Sequence, residues 1–553
     1  MLSSYSVVSR DRLTALCLTS GDMLYCVGSQ NGLFPEVGET GERGGVFLKN
    51  IKLADGFYFA VEDVPLTEAC AYRARPFENE FFYKLPDKGL VIRRTQFVPD
   101  MRPGMVIDIS LTNLYDVPRY AEVSFTVRTE LMDMSGDEET TGDIVEYDER
   151  SRAFFARNRL KPYHIAFGAQ TDCPVLLWDS TPEVYGFGNT AGHGANGRLF
   201  YRLRLPARGE KTLRLFIAGS RRSRMQAEDA LDALRGESSA LFAEKSARYT
   251  RFVDNAVYML PDPTLMQAIQ WAVFSYDWLL YENADGRALL TGLPENPTTT
   301  ISGTLPALPG LLALNQYGAA WNTILLLENS LSGASEEELA LYTRSASLAW
   351  RFSGDDDSLR TLFPSLAAAY KRLCASGARS AGIARAESLY LDMLEHFTGE
   401  APETERAAAE KMLSEFAGAD DDGMDVEKLL GVLEKNTDSM YRCMPIRPDC
   451  EGDVLTAMRL NQIVYPVLTK LCGVEPNTPK KEIRFSPSMP LCWNEWEIRR
   501  LRLGRANLKV SAARESHASV KYDVTIDEDG WTLIGADGSR TRICGTITVR
   551  SAE

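Results

Sequence analysis

The stretch GLPENPTTTISGTLPALPGLLAL, from Gly292 to Leu314, decides the fold of this chain. It follows a segment with the apolar periodicity of a helix, breaks at two prolines, passes through small hydroxylated residues and returns to helical periodicity. This pattern predicts a loop within a helical domain. The segments before and after that domain have a different periodicity.

Residues 1–222 alternate apolar and polar side chains, as half-buried antiparallel strands do. In 106–113, for example, Ile107, Ile109 and Leu111 fall on one face, and the residues between them fall on the other. Runs of this kind predict an N-terminal β-sandwich domain over 1–222.

A helical linker is predicted over 223–260 and a helical domain over 261–476. Asp262 is a candidate N-cap with proline at the next position, and Ser335 with Glu338 has the spacing of a capping box. The periodicity predicts about eight helices. After a first helix whose apolar face includes Leu265 and Leu280, they are placed at about 305–331, 335–353, 357–375, 382–398, 402–416, 424–436 and 453–474.

Alternation returns over 477–553, where Val520, Tyr522 and Val524 share one face. Asp529-Gly530 and Asp537-Gly538 are predicted hairpin turns. A small β-domain therefore closes the chain, and the predicted fold class is a multidomain β plus α protein.

Composition excludes several classes of partner. The chain has 553 residues, 44% of them hydrophobic, which is enough for two to four domains with buried cores. A formal charge of −15 argues against nucleic acid and anionic membranes as partners. We find neither a membrane-spanning run nor a signal-peptide core, and we predict a cytoplasmic protein.

No metal or cofactor is predicted. The ten cysteines form no close Cys-x-x-Cys pair, and the four histidines are isolated from one another in sequence. This spacing is typical of structural thiols and imidazoles in a reducing compartment.

Three blocks of the chain resemble the glycogen-debranching, amylo-α-1,6-glucosidase-like six-hairpin glycosidases. The first is the Gly-Leu-Pro step at Gly292, followed by the Pro-Gly-Leu-Leu helix that begins at Pro309. The second is a Gly-Gly-Val to Asp-Gly-Phe signature from Gly44 to Phe57, although Asp55-Gly56 could equally be a hairpin turn. The third is the entry to the C-terminal domain around Trp493.

The resemblance implies a β-sandwich, an (α/α) toroid of six helical hairpins and a C-terminal β-domain, here with a shortened toroid. It also implies that both catalytic acids are gone. Glycoside hydrolysis uses two carboxyl groups that flank the scissile bond. The segment CASGARSAGIAR, from Cys374 to Arg385, holds no carboxylate where the family has one acid. The segment with the other acid is missing after Lys470.

Replacement acids are possible on two predicted loops. Glu295, Asp449 and Glu451 are the candidate catalytic carboxylates, with Asp453 beside them. The alternative is that they are ordinary solvated loop charges. The candidate sugar-binding residues are Trp271, Trp278, Trp321, Asn461 and Gln462. Indoles on helices are also common in protein cores.

Three functional hypotheses follow. The first is a debranching-like relative that binds an α-glucan or oligosaccharide and has lost hydrolysis. The second is an active glycoside hydrolase with displaced acids, and the third is a non-catalytic protein-interaction scaffold. The sequence carries no signal for an oligomeric state.

Overall fold

The computed structural model describes residues 6–11, 13–34, 44–134, 142–180, 194–252, 255–283, 286–416, 426–436, 452–517 and 519–552. The chain divides into two compact units. The first unit comprises Met1–Arg251, Gly292–Pro297 and Ile446–Leu455, and the second comprises Phe252–Thr291, Thr298–Pro445 and Thr456–Glu553.

The strands up to residue 220 form two antiparallel sheets in the first unit. They are β1 (Val7–Ser9), β2 (Leu16–Ser20), β3 (Tyr25–Ser29), β4 (Gly45–Leu48), β5 (Ile51–Val61), β6 (Val64–Pro65), β7 (Ala71–Arg75), β8 (Glu78–Leu85), β9 (Leu90–Phe97), β10 (Gly104–Asn113), β11 (Arg119–Asp133), β12 (Asp143–Asp148), β13 (Ala153–Asn158), β14 (His164–Ala169), β15 (Leu177–Asp179), β16 (Asn196–Leu205) and β17 (Glu210–Ser220). Among the described residues one sheet has the order β1-β7-β8-β9-β10-β17-β14-β13-β12. The other has the order β15-β16-β11-β5-β4-β3-β2, with β6 paired to β5.

The two sheets lie face to face, as in a β-sandwich. Aromatic rings join them, for example Phe125 of β11 and Phe167 of β14, whose centroids are 6.1 Å apart. Helix α1 (Arg224–Phe252) packs Leu231 and Leu234 against Phe216 of the first sheet. The predicted alternation is confirmed for Ile107, Ile109 and Leu111, all buried in β10.

The hairpin interpretation of Asp55-Gly56 is wrong, because both residues lie inside the continuous strand β5. The Asp55 carboxylate is buried 2.8 Å from the ammonium of Lys52. It also accepts a hydrogen bond of 2.9 Å from Nε of Arg128. These charges keep a polar residue inside the sandwich, where a turn would have exposed it.

Helices dominate the chain beyond α1. They are α2 (Pro263–Trp278), α3 (Ile301–Thr304), α4 (Leu308–Ala313), α5 (Tyr317–Leu327), α6 (Glu336–Ser353), α7 (Asp356–Ser376), α8 (Ala381–Thr398), α9 (Glu403–Glu415), α10 (Val426–Asn436) and α11 (Ala457–Pro466). Both predicted caps are confirmed: Asp262 accepts from the Leu265 amide, and Ser335 and Glu338 form a full capping box. Helix α2 ends at Trp278, so Leu280 is not on its apolar face.

The single helix predicted at 305–331 is wrong. This segment contains a 3-10 turn, the short helix α4, helix α5 and a second 3-10 stretch, with α3 just before it. Two prolines remove backbone donors there, and Asn315 adopts a left-handed φ of 61° that ends the regular hydrogen bonding. The helix predicted at 453–474 begins only at Ala457 and continues as a π-helical turn, Val467–Leu471.

The remaining strands are short, apart from those near the C-terminus. They are β18 (Val257–Met259), β19 (Leu280–Asn283), β20 (Gly286–Leu289), β21 (Gly292–Leu293), β22 (Leu455–Thr456), β23 (Val474–Asn477), β24 (Glu482–Phe485), β25 (Glu495–Leu503), β26 (Ala506–Ser516), β27 (Ser519–Ile526), β28 (Thr532–Gly535), β29 (Arg540–Arg542) and β30 (Thr546–Ala552). In the described part of the second unit, two of the sheets have the orders β18-β25-β26-β27-β30 and β23-β24-β28-β29.

Asp537-Gly538 makes the predicted hairpin, between β28 and β29. Asp529-Gly530 does not, because β27 and β28 belong to different sheets and the turn carries the chain from one to the other. The architecture as a whole is a multidomain β plus α fold. In the described ranges no helix combines the length and the apolar character needed to cross a bilayer.

Candidate functional site

The structure describes two of the predicted loop acids, Glu295 and Asp453. Asp449 and Glu451 lie outside the described residues. Asp453 is 6% exposed and holds the loop that contains Glu295. Its Oδ1 accepts hydrogen bonds from the amides of Glu295 (2.7 Å) and Asn296 (3.0 Å), and its Oδ2 accepts one from Asn296 Nδ2 (2.8 Å). Asp453 is therefore a structural residue of the first unit, and Glu295 stands half-buried on the loop that it holds.

The three candidate tryptophans are core residues. Trp271, Trp278 and Trp321 are 1%, 4% and 3% exposed, so little of either indole face is open to a sugar ring. The Trp321 indole also donates a hydrogen bond of 3.1 Å to Ser353 Oγ. This placement agrees with the core alternative.

The two amide candidates differ in exposure. Asn461 donates a hydrogen bond of 3.0 Å from Nδ2 to the carbonyl oxygen of Pro306, and thereby ties α11 to the 3-10 turn that follows α3. Gln462 is exposed on the same helix.

The second unit contains a cavity of about 520 Å³, which we call the first cavity. This volume lies within the range of small-molecule sites. Its walls come from α6, α8, α11 and the α3–α4 segment, so the stretch from Gly292 to Leu314 contributes Leu305, Pro306 and Pro309. The lining residues are Leu305, Pro306, Pro309, Leu341, Arg344, Ser345, Ser347, Leu348, Arg351, Arg385, Leu389 and Tyr465.

Arginines supply the charge of the first cavity. Arg344 and Arg351 are seven residues apart on α6, which places them on the same helix face, and Arg385 comes from α8. Within the described residues the Nε atoms of Arg344 and Arg351 are buried and make no hydrogen bond. The hydroxyl of Ser347, a residue that is 1% exposed, is likewise buried and without a hydrogen-bond partner there. These three atoms therefore have no protein acceptor in the described part of the chain.

A second cavity of about 400 Å³ shares Ser347, Arg351, Arg385 and Leu389 with the first. Its other lining residues are Trp350, Ser388, Asp392, Leu413, Glu475, Asn477, Lys480, Glu482 and Arg484. Charges of both signs therefore meet here. Asp392 pairs with Arg406 at 3.1 Å, and Glu482 pairs with Arg540.

Burial and neighbouring charges set the electrostatics of the first cavity and of the wall that it shares with the second, Ser347, Arg351, Arg385 and Leu389. Burial is the largest cause that lowers the pKa of Arg351, and Arg484 and Arg385 lower it further, while Glu475 and Asp392 act in the opposite direction. An arginine nevertheless stays protonated in proteins. Burial also raises the pKa of Tyr465 to about 12, so its hydroxyl remains a neutral donor at neutral pH. The shared wall therefore carries fixed positive charge, on the partly buried Arg351 and on the exposed Arg385.

Carboxylates are unevenly distributed between the two cavities. Of the residues that the structure describes, no Asp or Glu lines the first cavity, whereas Asp392, Glu475 and Glu482 line the second. Over the same parts of the chain, no group of three His, Cys, Asp or Glu side chains is arranged to hold a metal ion.

The arginines were not predicted from the sequence, because glycosidase chemistry pointed to carboxylates and tryptophans. Two signals were present in the sequence. One is the seven-residue spacing of Arg344 and Arg351 on a helix with a clear capping box. The other is Arg385, the last residue of the segment that lacks an acid.

Comparisons with known proteins identify the fold. No protein-family model matches the chain, and no curated protein matches it. A solved structure described as a "putative kojibiose phosphorylase from human microbiome" is similar over 100% of this chain and 99% of its own, with a TM-score of 0.63 and 11% identity.

Two structures described as "putative aldose 1-epimerase" match smaller parts of the chain. The match to the one from Escherichia coli K12 covers 39% of this chain and 99% of that protein, at 7% identity and a TM-score of 0.27. The match to the one from Klebsiella pneumoniae subsp. pneumoniae covers 38% of this chain and 80% of that protein, at 11% identity and a TM-score of 0.24. The full-length likeness shows a fold shared with the first of these three proteins.

Proposed function

We propose that this chain binds an oligosaccharide in the first cavity and does not hydrolyse it with a pair of carboxyl groups there. The observation that carries the proposal is the lining of the first cavity, which combines apolar side chains, hydroxyls and guanidinium groups without a carboxylate among the described residues. Two acids that flank the bond are what glycoside hydrolysis requires. Hydroxyl and guanidinium donors beside apolar surface are suited to holding a polyhydroxylated ligand.

The fold supports a sugar as the ligand. The protein of matching fold bears the name of an enzyme that acts on kojibiose, a sugar, and the likeness extends over the whole chain. Fold by itself does not fix function, and the lining of the first cavity is the second support for a sugar ligand. As the finer form of the proposal we keep the debranching-like family, with a shortened helical toroid, and an α-glucan as ligand.

A second candidate function is hydrolysis in the second cavity. Asp392 and Glu475 both line it, and Glu475 is near enough to Arg351 to affect its pKa. In this alternative one of these carboxyls would protonate the leaving oxygen and the other would activate water or attack carbon. They replace Glu295 and Glu451 as the first acids to test.

The deciding experiment measures glucose and reducing ends released from α-1,6-branched limit dextrin and from panose. The native chain is compared with Asp392→Asn, Glu475→Gln and, as a matched variant in the first unit, Glu295→Gln. We expect no release from any of them, together with a rise in melting temperature when oligosaccharide is added, because a ligand that prefers the folded state stabilises it.

Sugar release that Asp392→Asn or Glu475→Gln abolishes, and that Glu295→Gln leaves intact, would establish the hydrolase instead. Loss of sugar release in Glu295→Gln alone would identify Glu295, on the loop of the first unit, as a catalytic acid. Absence of both sugar release and thermal shift would favour the protein-interaction scaffold.

A further inference from the structure

The charge of the first cavity is opposite to that of the protein. The chain carries a formal charge of −15, yet three arginines and, in the described part of the chain, no acid line this cavity. A neutral sugar needs hydrogen-bond donors and acceptors in comparable numbers, since each hydroxyl can both donate and accept. Guanidinium groups only donate. The guanidinium groups therefore leave room for an anionic group on a sugar that the hydroxyl and apolar lining residues hold.

The donors are buried without acceptors. In the described residues, Nε of Arg344, Nε of Arg351 and Oγ of Ser347 are shielded from solvent and form no hydrogen bond. Buried polar atoms in native proteins are paired with protein or water in the great majority of cases, so these donors are available to a ligand that enters the cavity. Arg344 and Arg351 also have no carboxylate within ion-pairing distance among the side chains that the structure places, in contrast to Arg406 on α9.

Like charges are gathered around Arg351. Arg351 lies close enough to Arg385 and Arg484 for both to disfavour its charge, and the opposing Glu475 and Asp392 line only the second cavity. Like charges at this distance repel one another unless a counter-charge is near. The second cavity has its counter-charges in the protein. No described Asp or Glu lines the first cavity, although Glu475 and Asp392 act on Arg351 from the second.

We infer that Arg344, Arg351 and Arg385, with Ser347, form an oxyanion subsite, and that the sugar of the proposed function carries a carboxylate or a phosphate. That the ligand is a sugar rests on the proposed function, whereas the oxyanion subsite does not. A guanidinium matches an oxyanion because its planar donors can form two parallel hydrogen bonds to two oxygens. Leu305, Pro306 and Pro309 would then face the apolar side of the sugar ring.

Isothermal titration calorimetry on the full chain tests this inference. Four probes are titrated at low and at physiological salt: maltotriose, a glucuronic-acid-containing disaccharide, glucose 1-phosphate, and inorganic phosphate. The variants are Arg351→Met, Arg344→Met and Arg351→Lys. Arg505→Met, which removes an exposed arginine of the same unit outside both cavities, is the matched control. A melting curve for each variant verifies that it is folded, and Arg351→Lys retains a positive charge if the methionine variant fails to fold.

We expect the charged sugars to bind at least about 10-fold more tightly than maltotriose, because charge-assisted hydrogen bonds are the strong class. Arg351→Met and Arg344→Met should each weaken charged-sugar binding by roughly 10- to 100-fold, and Arg505→Met should leave it unchanged. Arg351→Lys should recover part of the loss, since lysine keeps the charge without the planar fork.

The alternative outcomes separate the two proposals. Equal binding of neutral and charged sugars, insensitive to the arginine variants, overturns the oxyanion subsite and leaves oligosaccharide binding in place. Binding of inorganic phosphate that depends on Arg351, with no added affinity from a sugar, supports the subsite with free phosphate as its ligand and overturns the proposed function. Binding of no probe overturns both.

Discussion

Replacing Asp453 by alanine tests how the loop from Gly292 to Pro297 is held. The carboxylate accepts three hydrogen bonds, from two backbone amides and one side-chain amide, at 2.7 to 3.0 Å. Asp453→Ala removes all three acceptor contacts. Asp453→Asn keeps an oxygen that accepts from both backbone amides. It places an NH2 group opposite Nδ2 of Asn296, and a flip of the Asn296 side-chain amide would restore the third hydrogen bond.

The magnitudes follow from the burial of each partner. Hydrogen bonds to a charged group contribute about 1.5–3 kcal/mol each when buried. Asn296 is exposed and Glu295 is half-buried, so water partly replaces the lost acceptor. We therefore take about 1 kcal/mol per bond, which gives about 3 kcal/mol for the alanine variant and about 1 kcal/mol for the asparagine variant.

Gly292 supplies an independent test of the same geometry. A Cβ atom at this position would lie 2.2 Å from Asp453 Oδ2, so Gly292→Ala should clash with the carboxylate. In the Asp453→Ala background that oxygen is gone, and the glycine substitution should cost less. We expect a coupling free energy of at least about 1 kcal/mol between the two positions.

Urea unfolding followed by circular dichroism gives the stabilities, and hydrogen exchange of the Glu295 and Asn296 amides reports on the loop directly. Protection of both amides should fall by roughly 10- to 100-fold in Asp453→Ala. Equal costs for the alanine and asparagine variants would refute the reasoning, as would additive costs in the double variant with Gly292→Ala.

Three further predictions concern single features of the fold. Burial raises the pKa of Asp143 to about 6, so between about pH 4 and pH 6 the folded chain keeps a proton that the unfolded chain has lost. The free energy of unfolding should therefore fall by about 3 kcal/mol at most as the pH rises from about 4 to 6. Urea midpoints measured at these two pH values should show a smaller fall in Asp143→Asn than in the native chain. Burial raises the pKa of the Cys17 thiol to about 12 and also raises that of Cys26, so iodoacetamide should modify both only after the chain unfolds. In the native protein, mass spectrometry should find labelling first at the exposed cysteines, Cys70, Cys374, Cys492 and Cys544. Ser335→Ala should destabilise α6 by about 1 kcal/mol because the capping box is complete, whereas Ser335→Asp should be nearly neutral in thermal melts.

Local chemistry made much of the fold predictable. The predicted helices at 335–353, 357–375 and 382–398 agree with α6, α7 and α8 to within one residue at each end. Polar N-caps begin these helices, and glycines in the left-handed conformation end them. The breaks inside 305–331 were not predicted because leucine-rich periodicity outweighed the two prolines.

The site was less predictable, because it depends on which side chains converge. Arg344 and Arg351 share a helix face that can be read from their spacing. Their approach to Arg385 depends on the packing of α6 against α8, to which no sequence pattern points. The indoles Trp271, Trp278 and Trp321 show the converse case, since a side chain with the right chemistry for a sugar is also a large apolar group that the core can take up.

The interleaved composition of the two units limits how this protein can be made in parts. The first unit is complete only when Gly292–Pro297 and Ile446–Leu455 have joined Met1–Arg251. During translation the ribosome must therefore synthesise the chain as far as Leu455 before that unit has all its segments. The carbonyl oxygen of Pro294, for example, accepts a hydrogen bond from the Tyr25 hydroxyl but is synthesised long after the strand that carries Tyr25. An expression fragment that stops after α1 would lack both late segments. A single cut excises neither unit intact, so a soluble half of this protein calls for a circular permutation or a grafted loop in place of a truncation.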